Sequence, residues 1–317
     1  MTPSPATRRG WRDGIASALV ATLASPASWA TGLAGFLAGG GLVLVTWPIL
    51  VLPTMTGIQS ALGGPVSSLA FGSPSPTLVA LIVGFVVAGV VVLLAGTWIG
   101  AWAERSSIDA GLEAARDEGL ATGEPVSGAP GTSRVMLLRL LSLAPVVVAL
   151  GLAWPPLYAA AYRELIVPGD VKVPVEIRVL LDIPWVLVGV IVVWLVADTA
   201  AALGVRHLVL ERRPVVRALL LGWADVARRP HRVIATAVVG LGLPAIPAIL
   251  AIAGAALGWD AARSALVGGR GLIDAVGAVV LWVATWLAAL VILGVGAAFR
   301  SAAFTFEARH RIAPTTV

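Results

Sequence analysis

Between Gly14 and Ala103 the chain runs for 90 residues without one Asp, Glu, Lys or Arg. A soluble domain carries a charge at about every fourth position. It has no means of keeping so long an uncharged, mostly apolar stretch from water. A bilayer does: its hydrocarbon core is about 30 Å thick and takes about 20 helical residues at about 1.5 Å each. The stretch suffices for two crossings, predicted over about 30–52 and 77–103. The segment between them, 53–76, carries the turn formers Gly63, Gly64, Pro65, Gly72, Pro74 and Pro76.

The same length criterion predicts four more spans, over about 141–162, 184–209, 233–257 and 273–299. Composition agrees, with 58% hydrophobic residues and 12% charged, half the charge of an average soluble domain (about 25%). That balance excludes a soluble enzyme, a disordered protein and a collagen-like chain. The expected fold class is an all-α, polytopic integral membrane protein with six transmembrane helices and amphipathic cytoplasmic elbow helices, in a single domain over 1–317. The chain has no cysteine, which excludes disulfides, thiolate zinc sites, iron–sulfur clusters and cysteine nucleophiles. Lys172 is the one basic residue that is not Arg, and Ala, Gly and Val abound; that usage points to a GC-rich bacterial genome, hence a bacterial plasma membrane.

Orientation follows from the arginines. With the N-terminus inside, the inner segments hold 17 basic residues: Arg8, Arg9 and Arg12, then Arg105, Arg116, Arg134 and Arg139, then Arg206, Arg212, Arg213, Arg217, Arg228, Arg229 and Arg232, and lastly Arg300, Arg309 and Arg311. The outer segments hold 5, namely Arg163, Lys172, Arg178, Arg263 and Arg270. Both termini are therefore expected in the cytoplasm. Trp29, Trp98, Trp102, Trp154, Trp185 and Trp259 fall near predicted span ends, where an indole sits half wet.

A charged amphipathic segment precedes each pair of spans. The first is 11–24, with Trp11, Ile15, Leu19 and Leu23 on one face. Its twin arginine and the Ser-Pro-Ala-Ser-Trp-Ala that follows also fit a secretory signal. The continuing apolar chain favours an interfacial helix, because cleavage would release no soluble protein. The second is 104–120, with Ile108, Leu112 and Ala115 on one face, and the third is 213–228, with Val216, Leu219, Leu220, Trp223 and Val226 together. Residues 121–133, rich in Gly, Pro and Ser, read as a flexible linker. In the outer loop, Val171, Val173, Val175, Ile177 and Val179 alternate with Lys172, Pro174, Glu176 and Arg178, which predicts an extended edge strand. It is either a lid or docking edge, or else a plain linker against the protein's own surface or the start of the fourth span; the latter pair is preferred.

Within the spans Asp198 is the one clear ionisable residue, about 20 Å along its helix from Trp185. Such a residue is a functional candidate by default. Thr199 follows it, and Arg139 or Arg206 are its expected partners. It is either a proton or ion site, or an ion pair that fixes packing. A lone carboxylate favours packing. Asp182 and Asp274 lie at span ends and read as interface residues. His207, His231 and His310 lie apart at the cytoplasmic surface without metal-ligand spacing. No phosphate-binding glycine loop and no nucleophile elbow appear, so no catalytic residue, metal or cofactor is assigned.

Glycines and prolines crowd three spans: Gly32, Gly35, Gly39, Gly40 and Gly41 in the first, Pro145, Pro155 and Pro156 in the third, Gly240, Gly242, Pro244 and Pro247 in the fifth. Broken helices can line a transport site. Small residues also allow close packing, as in the GxxxG pairs Gly35/Gly39, Gly96/Gly100 and Gly254/Gly258, and packing is preferred. The arginines Arg206, Arg212, Arg213, Arg217, Arg228, Arg229 and Arg232 form a basic belt suited to anionic lipid headgroups.

The stretch from Ala197 to Ile234, followed by two spans and a basic tail, resembles six-helix bacterial membrane proteins related to the membrane domain of glycerophosphodiester phosphodiesterases. In these a helix leads into a basic elbow whose pattern Val209, Glu211, Val215, Ala218, Leu219, Gly222 and Trp223 follow here. The resemblance implies a six-helix membrane fold. It carries over no activity, because the phosphodiesterase domain and its metal-binding acids are absent. The expected function is that of a scaffold, accessory or lipid-interacting membrane component. The alternative is a transporter for lipids or small molecules. Membrane lipids, and also other membrane proteins, are the expected partners; nucleic acid is not.

Overall fold

The computed structural model describes residues 11–46, 64, 68, 73–117, 130–166, 173, 175–268 and 271–312. These residues are 94% helical and none lies in a strand. The helices are α1 (Trp11–Ala24), α2 (Pro26–Phe36), α3 (Leu42–Thr46), α4 (Pro76–Asp117), α5 (Thr132–Ser142), α6 (Ala144–Ile166), α7 (Val175–Asp182), α8 (Pro184–Leu210), α9 (Val215–Arg228), α10 (Pro230–Val267) and α11 (Leu272–Ile312). A π-helical turn, Leu37–Gly41, joins α2 to α3. Four of these helices open on a proline, whose fixed φ suits the first turn and whose missing N–H is not needed there.

Among the described residues six stretches are long and apolar enough to cross a membrane: Pro26–Thr46, Pro76–Glu113, Thr132–Glu164, Pro184–Leu210, Pro230–Val267 and Leu272–Ala308. Each contains most of one span expected from sequence. Large apolar side chains cover their outsides, Phe85 at 82% exposure among them. In water such a surface would drive aggregation; in a bilayer it is the solvent-facing side. The chain is a multi-pass α-helical membrane protein.

Chain contacts gather into two compact units. The first comprises Met1–Ile49, Thr97–Ser142 and Asp198–Val317, the second Leu50–Gly96 and Leu143–Ala197.

In the first unit α10 and α11 pack along each other, and α1 and α2 pack on α11. Missing side chains set the distance. A Cβ on Gly32 would stand 2.6 Å from the Gly294 carbonyl oxygen, and one on Gly294 would stand 2.7 Å from that of Trp29. The four-residue glycine spacing does not select these contacts. Gly39 and Gly254 face open space, while their partners Gly35 and Gly258 lie against Ala103 and Trp282. Most of the prolines do not break the helices either. α6 runs through Pro155 and Pro156, and α10 through Pro244 and Pro247. The Pro244 ring occupies space that Gly296 leaves open. The real irregularity is the π turn, where Gly40 has φ +102°, a conformation that costs glycine little.

The charged segments form helices with one difference. α1 turns its small residues Gly14, Ala18, Ala21 and Thr22 inward and leaves Leu19, Val20 and Leu23 exposed. α9 buries Ala218 and Gly222. The second segment is no separate elbow: 104–117 continues α4 without a break. Nothing in that sequence stops a helix, so the change from apolar to charged passes along one continuous helix. Residues 118–120 of that segment and 121–129 of the expected linker lie outside the described residues.

In the second unit the expected strand is corrected. Val175–Asp182 is helical. Val179, Ile183 and Val186 pack with Ala160, with Val175 and Leu157 beside them. These apolar positions recur at three and four residues as well as at two, and burial against α6 selects the helical period. Arg178 donates to Glu164 at 2.8 Å and to the Val173 carbonyl at 3.0 Å. Val171, Lys172 and Pro174 lie outside the described residues.

Candidate functional site

Asp198 sits on α8 where the apolar character of four helices gives way to charge. Arg139 on α5 donates through Nη1 to its Oδ1 at 2.8 Å. Arg300 on α11 donates through Nη2 to its Oδ2. Arg139 also binds Glu104 of α4, through Nε at 2.8 Å and Nη2 at 2.7 Å. Arg206, two turns beyond Asp198, donates to the other Glu104 oxygen, to the Ala202 carbonyl at 2.8 Å and to the backbone and side-chain oxygens of Ser301 at 3.0 Å. The charges thus alternate along one chain: Arg206, Glu104, Arg139, Asp198, Arg300. Phe304 lies beside both ends, its ring centroid 5.9 Å from Arg206 Cζ and 5.8 Å from Arg300 Cζ.

The cluster is poorly hydrated. The Arg206 side chain is 2% exposed, Glu104 10%, Asp198 18%, Arg139 24% and Arg300 25%. Thr199 is buried beside Asp198 and makes none of these bonds. Every carboxylate oxygen of the cluster accepts from a guanidinium, which is the arrangement that offsets the cost of drying a charge. Chemically it is a fastener: four helices meet in one charge-assisted network.

The arginine belt divides. Arg206 leaves it entirely for Glu104 and Ser301. Arg232 pairs with Glu307 at 3.0 Å, and Arg213 with Glu211 at 3.1 Å. Arg212, Arg217, Arg228 and Arg229 are exposed along or beside α9. Val216 and Leu220 on that helix are 61% and 63% exposed. The opposite side of α9 is locked onto α8. A Cβ on Gly222 would overlap the Ala200 carbonyl and come 2.8 Å from the Gly204 nitrogen.

His207 does not lie at the surface; its side chain is 16% exposed. Its Nδ1 stands 2.6 Å from Glu211 Oε1 and its Nε2 2.9 Å from Asp225 Oδ2. An acceptor at each ring nitrogen suits the ring that carries both protons. The contact ties the end of α8 to α9. His231 is exposed, and the His310 side chain lies outside the described residues.

Sequence reasoning placed Asp198 and offered Arg139 and Arg206. It missed Glu104, Arg300, Ser301 and Phe304 as members. A signal existed: Glu104 is the first charge after the 90-residue run, and Arg300 the first after Asp274. Each marks the same boundary on its own helix.

No family model matches the chain, and no curated protein or solved structure matches it either. What the fold and the cluster define is the class, a six-span α-helical membrane protein.

Proposed function

We propose that the chain is a non-catalytic component of a bacterial plasma membrane, a lipid-interacting scaffold or accessory subunit with both termini in the cytoplasm. The observation that carries this reading is the hold on Asp198. A carboxylate that carries protons or ions must exchange its partners. Asp198 has an arginine on each oxygen, and one of them, Arg139, holds Glu104 at the same time. That is the role of an interhelical ion pair in packing.

The exposed side of α9 supports the lipid part. Arg212, Arg217, Arg228 and Arg229 flank exposed Val216 and Leu220. Each basic residue near an anionic leaflet contributes about 1 kcal/mol. The kinship with the membrane domain of glycerophosphodiester phosphodiesterases belongs to the same proposal; it brings a fold and no activity.

Lipid analysis of the protein purified in mild detergent tests the reading. Phosphatidylglycerol should be enriched over the bulk membrane. Replacing Arg212, Arg217, Arg228 and Arg229 by Gln should lower that enrichment several-fold. Retained lipid of bulk composition, unchanged by the four replacements, would contradict it.

A further inference from the structure

We infer that the Arg300 end of the charge cluster binds an anionic phosphate group. The inference deepens the lipid reading and rests on its membrane placement, though not on the α9 arginines. The alternating chain ends in a cation on both sides. Three guanidinium groups face two carboxylates, so the cluster carries one positive charge in excess. Excess charge in poorly hydrated surroundings is costly, and an anion from outside the chain offsets it.

The two ends are not equivalent. Arg206 is closed off, with both terminal nitrogens bound to Glu104, Ala202 and Ser301. Arg300 is a quarter exposed and, among the described residues, bonds to the protein through Nη2 alone. The buried Nε lacks a partner among the described residues at both ends, so the difference lies in the terminal nitrogens. The Phe304 ring lies beside the guanidinium, and Gly240 lies against the stem, where a Cβ would come 3.4 Å from Arg300 Cγ. A planar guanidinium steadied in this way, with Nη1 unspent among the described residues, suits phosphate oxygens at its terminal nitrogens.

The depth agrees. Arg300 precedes Glu307 by seven residues on α11, or about 10 Å at the helical rise. The Arg232–Glu307 pair adjoins the charged end of that helix. The sixth span expected from sequence ends at about residue 299, which puts Arg300 at its inner end, within reach of a lipid phosphate. A free phosphate ion entering from the aqueous side has the same chemistry.

The test uses the full chain in detergent, with thermal melting as readout. One arm adds inorganic phosphate against chloride at equal ionic strength. The other adds phosphatidylglycerol against phosphatidylcholine in mixed micelles. The expected result is a Tm rise of about 3 °C in at least one arm, and the responding arm names the source. Arg300→Gln should lose the rise, while replacement of the exposed Arg134, which lies outside both the cluster and the α9 set, by Gln should keep it. Should Arg300→Gln fail to fold, Gly240→Asp decides. It places a carboxylate against Arg300, so it should raise the Tm of the ligand-free protein and abolish the response. No rise in either arm, or a rise that survives Arg300→Gln or Gly240→Asp, overturns the inference. The four-arginine variant of α9 tests the lipid reading separately, so either can fail alone.

Discussion

The arginines of the charge cluster differ in how many carboxylates each holds, two for Arg139 and one each for Arg206 and Arg300, and that number ranks the cost of losing them. Arg139 alone bridges both carboxylates. Arg139→Met should strip a partner from two poorly hydrated acids at once and cost about 3–5 kcal/mol. Arg300→Met leaves Asp198 its bond to Arg139 and removes the excess charge. It should cost less, about 1.5–3 kcal/mol. Thermal melts of the two variants in one detergent check the order; an equal or reversed ranking would refute the alternating chain. Asp198 was legible because a lone acid in an apolar run is conspicuous. Its partners were not, because they lie on other helices. The register between helices depends on where each enters the membrane, and sequence fixes that only to within a turn or two. Arg139 and Arg206 were both within reach along the chain, yet Arg206 turns to Glu104 instead.

At the scale of helices, side-chain absence decides where two rods approach. Gly222→Ala should push α9 off α8 and destabilise the protein by about 1–3 kcal/mol, because the new methyl would overlap the Ala200 carbonyl. Gly254→Ala is the same chemistry in open space. It should be neutral or gain up to about 1 kcal/mol from helix propensity. Paired melts of these two variants give opposite signs if the packing is as described. Spacing alone would have chosen Gly254, since it belongs to a GxxxG pair and Gly222 does not. The same limit explains two other differences. The continuation of α4 through 104–117 and a bent elbow have one hydrophobic pattern, and only the backbone distinguishes them. Val175 and Val179 satisfy both a strand and a helix, and the packing surface of α6 chooses between them.

For the whole molecule the number of crossings was the most legible property. Apolar length is set by the bilayer and not by neighbours, so six runs yield six candidate spans. Orientation rests on the 17 to 5 arrangement of basic residues. The chain lacks cysteine, so single introduced thiols report both topology and access. Arg217→Cys should react with a membrane-impermeant maleimide from the cytoplasmic side, and Arg163→Cys from the opposite side. The reverse pattern would invert the proposed topology. The central claim, that Asp198 fastens helices and does not serve a transport path, is tested most directly at the buried position beside it. Thr199→Cys in native membranes should resist the same reagent from both sides, under conditions that label Arg217→Cys fully. Labelling of Thr199→Cys from both faces would show water reaching Asp198 alternately, and would contradict the account.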